Sequence, residues 1–238
     1  MQEITTINLG GMLGYGANCY LIKTDQGYIL IDTGFSPKRA ILDKGLERAG
    51  CKPGNLKLIV LTHGHGDHIG NCVYLRTKYA APIAIHRGDS EMVEGEGVET
   101  NVFNRILLSV ISFIAGLGEI ERFKPDLYLE EGDGFSEYGF DAKVLHLPGH
   151  SPGSIGILTA GGGPSTGFQP AQPGSSGQAL FCGDLFVNVT KPVKHSIVID
   201  EAAFKTSVER LKNLSINTVY PWHGKPFPGS SLQTFPEE

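Results

Sequence analysis

No CxxC pair occurs among the four cysteines, Cys19, Cys51, Cys72 and Cys182, so they read as reduced core or near-surface thiols and not as a disulfide framework. Cys182 lies two residues before Asp184, yet its apolar neighbours favour packing. Positive charge is scarce: 20 Lys and Arg face 25 Asp and Glu, for a formal net charge of −5. Without a basic stripe, nucleic acid is not an expected partner. The first residues, Met1-Gln-Glu-Ile-Thr, show no basic segment followed by an apolar one, so no signal peptide is read and the cytoplasm is the expected compartment. Long apolar runs are also lacking. The strongest, Asn101 to Leu117, carries Arg105 and two asparagines and falls short of a comfortable membrane span, so no membrane partner is expected.

With 238 residues and 40% hydrophobic content, the chain can bury one sizeable core, read as a single domain over residues 1–238. Short apolar runs alternate with helical patterns. Strands are expected at Ile4–Leu9, Cys19–Lys23, Tyr28–Asp32, Leu58–Leu61, Pro82–His86, Ala142–Leu147, Ser154–Thr159, Ala179–Cys182 and Thr218–Tyr220. A helix is expected from Ser36-Pro37 to Gly50 with Ser36 as its N-cap, a second from about Ile69, and a third from near Asp200 presenting Phe204, Val208 and Leu211 on one face. Strands in two clusters with helices outside imply two sheets packed face to face. Two segments stand apart. The apolar insertion at about 99–118 is expected to cover a site mouth, to form a homodimer face through 101–117, or to be buried in the core. The Gly/Pro/Ser-rich stretch 161–177 reads as a flexible hairpin loop, with a mobile flap as its functional alternative.

Against this background one run carries the chemistry. His63-Gly-His65-Gly-Asp67-His68 follows the apolar stretch Leu58-Ile-Val-Leu-Thr62 and packs four potential metal ligands into six residues. If the backbone stays extended, His63 and His65 fall on one side and can share an ion, while Asp67 and His68 point elsewhere. Gly64 and Gly66 let the chain bend tightly there. Imidazole nitrogen suits zinc, and a carboxylate adds a hard, charged oxygen. A tag-like histidine tract would sit at a terminus; this run follows a buried strand pattern. Three more candidates recur in one grammar of strand, breaker and ligand: His150 after Val144-Leu-His-Leu-Pro-Gly, Asp184 after Ala179-Leu-Phe-Cys-Gly, and His223 after Thr218-Val-Tyr-Pro-Trp.

HxHxDH followed by His, Asp and His in this order resembles the metallo-β-lactamase superfamily, as does the early turn Asp32-Thr33-Gly34. The glyoxalase II-like and lactonase-like group shares all seven ligand positions. The resemblance implies an α/β fold, a four-layer αββα sandwich of two mixed β-sheets with metals at one edge. It implies that His63, His65 and His150 hold one divalent ion, that Asp67, His68 and His223 hold a second, and that Asp184 bridges them. Zinc is the default metal, with iron and manganese as alternatives. The chemistry that follows is hydrolysis of a small-molecule substrate by a hydroxide shared between two ions, with Asp67 and Asp184 as the carboxylates nearest the reaction. Asp32 is either a carboxylate that orients a ligand histidine or a turn residue capping Thr33-Gly34.

Departures from the sub-families narrow the reading to small esters, thioesters or lactones. Asp184 stands where true β-lactamases are expected to carry Cys or Ser, leaving β-lactam hydrolysis a weak side activity at most. The chain runs fifteen residues past His223, whereas glyoxalase II-like thioesterases are expected to add a glutathione-gripping helical segment. Val187 replaces the Tyr expected in quorum-quenching lactonases. Iron-dependent persulfide dioxygenases are the alternative from another reaction class, but their Arg- and Gly-rich motif is absent after Asp184. Flavodiiron reductases would need Glu at His65, and the tRNA-processing nucleases an RNA-gripping arm. His146 is read as a satisfied half-buried side chain and His86 as lying near the cleft outside the ligand set. His195 is read as part of a solvated loop, with a carboxylate clamp or proton donor as its functional alternative.

Overall fold

The computed structural model describes residues 3–11, 16–95, 120–160 and 177–235. The apolar insertion and nearly all of the Gly/Pro/Ser stretch lie outside them. The first sheet contains β1 (Glu3–Asn8), β2 (Asn18–Thr24), β3 (Gly27–Ile31), β4 (Leu56–Val60), β5 (Ile83–His86) and β6 (Leu127–Leu129), in that order. β1 to β3 run antiparallel, and β3 to β6 are parallel. The second sheet contains β7 (Gly134–Phe135), β8 (Phe140–His146), β9 (Ile155–Thr159), β10 (Gln178–Asn188), β11 (Pro192–Lys194), β12 (Ile216–Gly224) and β13 (Phe227–Pro228). Its order is β13-β12-β10-β9-β8-β7, with β11 added along β10. Among the described residues only β10 and β12 pair in parallel there, so both sheets are mixed. The helices are α1 (Arg39–Arg48), α2 (Gly66–Ile69), α3 (Cys72–Tyr79), α4 (Ser90–Glu94) and α5 (Glu201–Lys212).

Alternation along the strands produces the layering. In β2, Cys19 and Leu21 pack towards α1 and α3, whereas Tyr20 and Ile22 pack against the other sheet. In β10, Ala179 and Phe181 face the first sheet, and Leu180 and Cys182 face α5 with its Phe204, Val208 and Leu211. Because side chains alternate across a strand, an uninterrupted apolar strand serves two cores at once. The result is helix, sheet, sheet, helix, as the sequence pattern implied. Phe181 sits on the mid-plane, fully buried, with its ring 5.1 Å from Tyr20 and 5.0 Å from Tyr220. All four cysteines are buried and unpaired; burial pushes the Cys72 thiol up to about 12. Among the described residues no helix is long and apolar enough to cross a membrane.

Several local expectations are corrected. Ser36 is not a helix cap: Ser36–Lys38 forms a 3-10 turn entered from Phe35 without a side-chain cap, and α1 begins only at Arg39. The second helix starts inside the ligand run, at Gly66, and not past it. β10 continues to Asn188 beyond the expected end at Cys182, because its register shifts around Gly183 absorb the break without ending the strand. β6, β7, β11 and β13 are two or three residues long and carry too little pattern to be read from sequence.

Candidate metal centre

β4 ends at Val60, and the chain reaches α2 through His63-Gly64-His65, with His65 extended at φ −73° and ψ 150°. His63 Nε2 and His65 Nδ1 lie only 3.0 Å apart, and α2 carries Asp67 and His68, whose ring lies 3.9 Å from that of His63. His150 comes from the opposite sheet, in the turn after β8. Gly149 has φ +142°, and a Cβ there would lie 2.6 Å from Phe204 Cα, so only glycine lets the turn rest on α5. His150 Nε2 thereby comes within 3.1 Å of His63 Nε2 and 2.9 Å of His65 Nδ1. Three imidazole nitrogens converge at separations close to the roughly 3.3 Å edge of a tetrahedron with metal–nitrogen bonds of about 2.0–2.1 Å.

Asp184 is not at a strand end. It lies within β10 beside Gly183, whose φ of +51° and close approach to Thr62, 2.6 Å from a Cβ to Oγ1, again require glycine. The bulge aims the carboxylate between two groups of donors. Asp184 Oδ2 is 3.6 Å from His150 Nε2 and 3.5 Å from His68 Nε2, while Oδ1 is 3.9 Å from His223 Nε2. Asp67 Oδ2 lies 3.7 Å from His68 Nε2 and 3.9 Å from His223 Nε2. His223 sits near the end of β12, next to β10. Among the described residues the donors fall into four overlapping sets, His63/His65/His150, His63/His68/Asp184, Asp67/Asp184/His223 and His150/Asp184/His195, each with its donor atoms within 4.8 Å of one another.

The donor chemistry fits metal. His68 Nε2 and Asp184 Oδ1 are buried without a hydrogen-bond partner among the described residues, a costly arrangement unless something binds them. Burial, ahead of neighbouring charge, holds His63 and His65 below the usual imidazole range and lowers His150 to about 4. Bare lone pairs are what a metal requires. His68 differs: burial opposes its charge, but Asp32, Asp67 and Asp184 together raise it well above 6.5. Asp184 is likewise penalised by burial and yet held well below the usual carboxylate range by His68, His63 and His223.

Two carboxylates behind the donors hold the geometry. Asp32, at φ +59°, accepts from Thr62 N and Thr62 Oγ1, both at 2.8 Å, and places Oδ2 3.0 Å from His68 Nδ1. That contact orients a histidine, in addition to shaping the turn. Asp89 had no signal in the sequence beyond being an acid just past β5. It is fully buried and accepts from Gly64 N at 2.9 Å, Ser151 Oγ at 2.7 Å and Gly153 N at 2.6 Å, clipping the His63–His65 loop to the His150 turn. His195 departs from the solvated-loop expectation: its side chain is 11% exposed, with Nε2 3.5 Å from Asp184 Oδ2. His146 is satisfied through Pro152 O at 2.8 Å and stacks on His86, apart from the centre.

A sequence profile of the metallo-β-lactamase superfamily matches residues 13–163, well over half of the chain. The chain belongs to the metallo-β-lactamase superfamily. Among individual superfamily members it is similar to the hydroxyacylglutathione hydrolase GloC of Haemophilus influenzae, with 33% identity over 59% of this chain and 60% of that protein. An N-acyl homoserine lactonase of a Bacillus species is 28% identical over 65% of this chain and 62% of the lactonase. The chain thus spans about three fifths of the length of these curated relatives. Among solved structures, TTHA1623 in a di-iron-bound form superposes with a TM-score of 0.65 at 26% identity, covering 98% of both chains.

Proposed function

We propose that the chain is a dinuclear-metal hydrolase acting on a small ester, thioester or lactone. The observation that carries this reading is the position of Asp184, whose single carboxylate lies between the His63/His65/His150 nitrogens and the Asp67/His68/His223 donors. In this reading the first three residues hold one ion, the second three hold another, and Asp184 touches both. The chemistry that such a pair supplies when bound is Lewis acidity and a water acidic enough to deprotonate near neutral pH. The chain's own contribution is positional. Asp32 and Asp89 fix the loops from behind, β10 supplies the central carboxylate, and Asp67 and His223, with side chains 24% and 17% exposed, form the open edge where a substrate can approach. The relatives named for hydrolysis of a hydroxyacylglutathione and of an N-acyl homoserine lactone support an acyl substrate with a good leaving group.

Iron is the second reading, favoured by the di-iron form of TTHA1623. Elemental analysis of chelator-free protein, beside a panel of thioesters, lactones and a chromogenic β-lactam, tests both. About two divalent ions per chain with thioester or lactone turnover is the expected result. A single iron with no hydrolysis would move the assignment to iron-dependent oxidation of the persulfide dioxygenase kind.

A further inference from the structure

His195 reaches the centre by a different route from the seven other donors. It follows β11 where the chain leaves β10 for α5. Its ring meets that of His150 edge-on at 4.7 Å and lies parallel to that of His223 at 5.9 Å, with Nε2 facing Asp184 Oδ2 at 3.5 Å. The short strap from 195 to 197 then sets two imidazoles in opposite tautomers. His150 Nδ1 lies 2.7 Å from the Ile197 carbonyl, which can only accept, so His150 carries its proton on Nδ1 and turns a bare Nε2 towards His63 and His65. His195 Nδ1 lies 3.1 Å from the Ile197 backbone nitrogen, which can only donate. The Ile197 carbonyl is farther from His195 Nδ1, at 3.4 Å. A neutral His195 ring therefore keeps its proton on Nε2, on the side of the centre.

A bare nitrogen is a metal ligand, whereas an N–H is a hydrogen-bond donor. We infer that His195 is an eighth residue of the site with a role distinct from the other seven: a fixed N–H donor beside Asp184 that hydrogen-bonds an anionic substrate oxygen at the open edge. The oxygen it meets, the oxyanion of acyl transfer and then the product carboxylate, rests on the hydrolytic reading above; the tautomer rests on geometry alone. A donor preset towards developing negative charge stabilises it without reorganisation. Asp67, His223 and His195, with side chains 24%, 17% and 11% exposed, line the same open edge, so the donor is within reach of a bound acyl group.

Long-range proton–nitrogen NMR on the zinc-loaded protein reads the tautomer directly. Protonated Nε2 and bare Nδ1 are expected at His195; a metal-bound or unprotonated Nε2 overturns the assignment. Zinc titration of His195→Ala and His195→Gln is expected to give wild-type stoichiometry and affinity. Loss of one equivalent, or the roughly 10–100-fold weakening that follows loss of a residue supporting a metal, would make His195 a ligand. On the substrate that the wild type hydrolyses best, His195→Ala should lower kcat by about 10- to 100-fold, with most of it recovered by the amide donor of His195→Gln. Equal rates in all three proteins overturn the donor role. A wild type that hydrolyses nothing sinks the hydrolytic reading separately. Acetate binding to the zinc-loaded proteins then decides the donor, weaker in His195→Ala than in His195→Gln if the assignment holds and equal if it does not.

Discussion

The two flanks of the centre are assembled in opposite ways. On the first sheet, His63, His65, Asp67 and His68 occupy one six-residue run after β4, split between the segment that leaves the strand and the first turn of α2. On the second sheet, His150, Asp184, His195 and His223 come from four separate places: a glycine turn, a bulge inside β10, the strap after β11 and the end of β12. The first flank depends mainly on local backbone. The second depends on strand register and on how the two sheets pack. A protein with both makes half of its site robust to distant change and leaves the other half sensitive to it.

The most damaging test of this comparison removes the residue that joins the flanks. Asp184→Ala is expected to lower turnover by about 10²- to 10³-fold, the scale of losing a preorganised group at the reacting centre. Thermal unfolding should stay cooperative, since the carboxylate is not packed as part of either core. Full activity in this variant would end the two-ion reading.

Phe181→Ala strikes the packing on which the second flank depends. The ring is fully buried between the sheets, against Tyr20 and Tyr220, so its truncation should cost about 3–5 kcal/mol in urea unfolding. Zinc affinity should fall with it, because Asp184 lies three residues farther along the same strand. Lost stability with unchanged affinity would show that the second flank is less dependent on sheet packing than its topology implies.

Asp89→Ala acts on the clip between the flanks. It leaves Gly64 N, Gly153 N and Ser151 Oγ without their shared acceptor, at an expected cost of about 1–3 kcal/mol. Loss of zinc affinity is expected beside a smaller loss of stability than Phe181→Ala, measured on the same two axes. The reverse ranking would make the local clip more important than the core.

The smallest effect is a proton. In the metal-free protein Asp32, Asp67 and Asp184 outweigh burial and raise His68 above the usual imidazole range. Zinc binding at pH 7 should release protons from this ring, measured by calorimetry in buffers of different ionisation enthalpy, and Asp32→Asn should reduce the release. Asparagine is chosen because it tolerates the positive φ at this position. His68 and His150 differ in their pH dependence. A raised pKa at His68 stabilises the metal-free fold below about 6.5, an effect lost as pH rises through the folded value. His150, lowered to about 4, acts in the opposite sense: between 6.5 and about 4 the unfolded chain takes up a proton that the fold refuses, so stability falls as pH falls. Chemical unfolding of metal-free protein across this window resolves the balance.

The fold class and the layering were legible because strands such as β2 and β10 alternate between two apolar cores, a pattern of period two that needs no partner to be recognised. The candidate donors were legible because His and Asp beside glycine next to short apolar runs are unusual in a packing role. Asp89 and the inward turn of His195 were not, since neither belongs to a dense motif. Asp89 gains its role from Gly64, Ser151 and Gly153, two of them more than sixty positions away, and His195 from β11, a strand of three residues.

The sequence by itself determined which side chains could carry the chemistry and which runs would be buried, because both follow from residue type and short-range periodicity. Only the tertiary structure decided that Asp184 bends out of the middle of a continuous strand and that a single backbone strap gives His150 and His195 opposite tautomers. Those outcomes depend on register between strands and on which backbone group faces which ring nitrogen, quantities that exist only once distant segments have met.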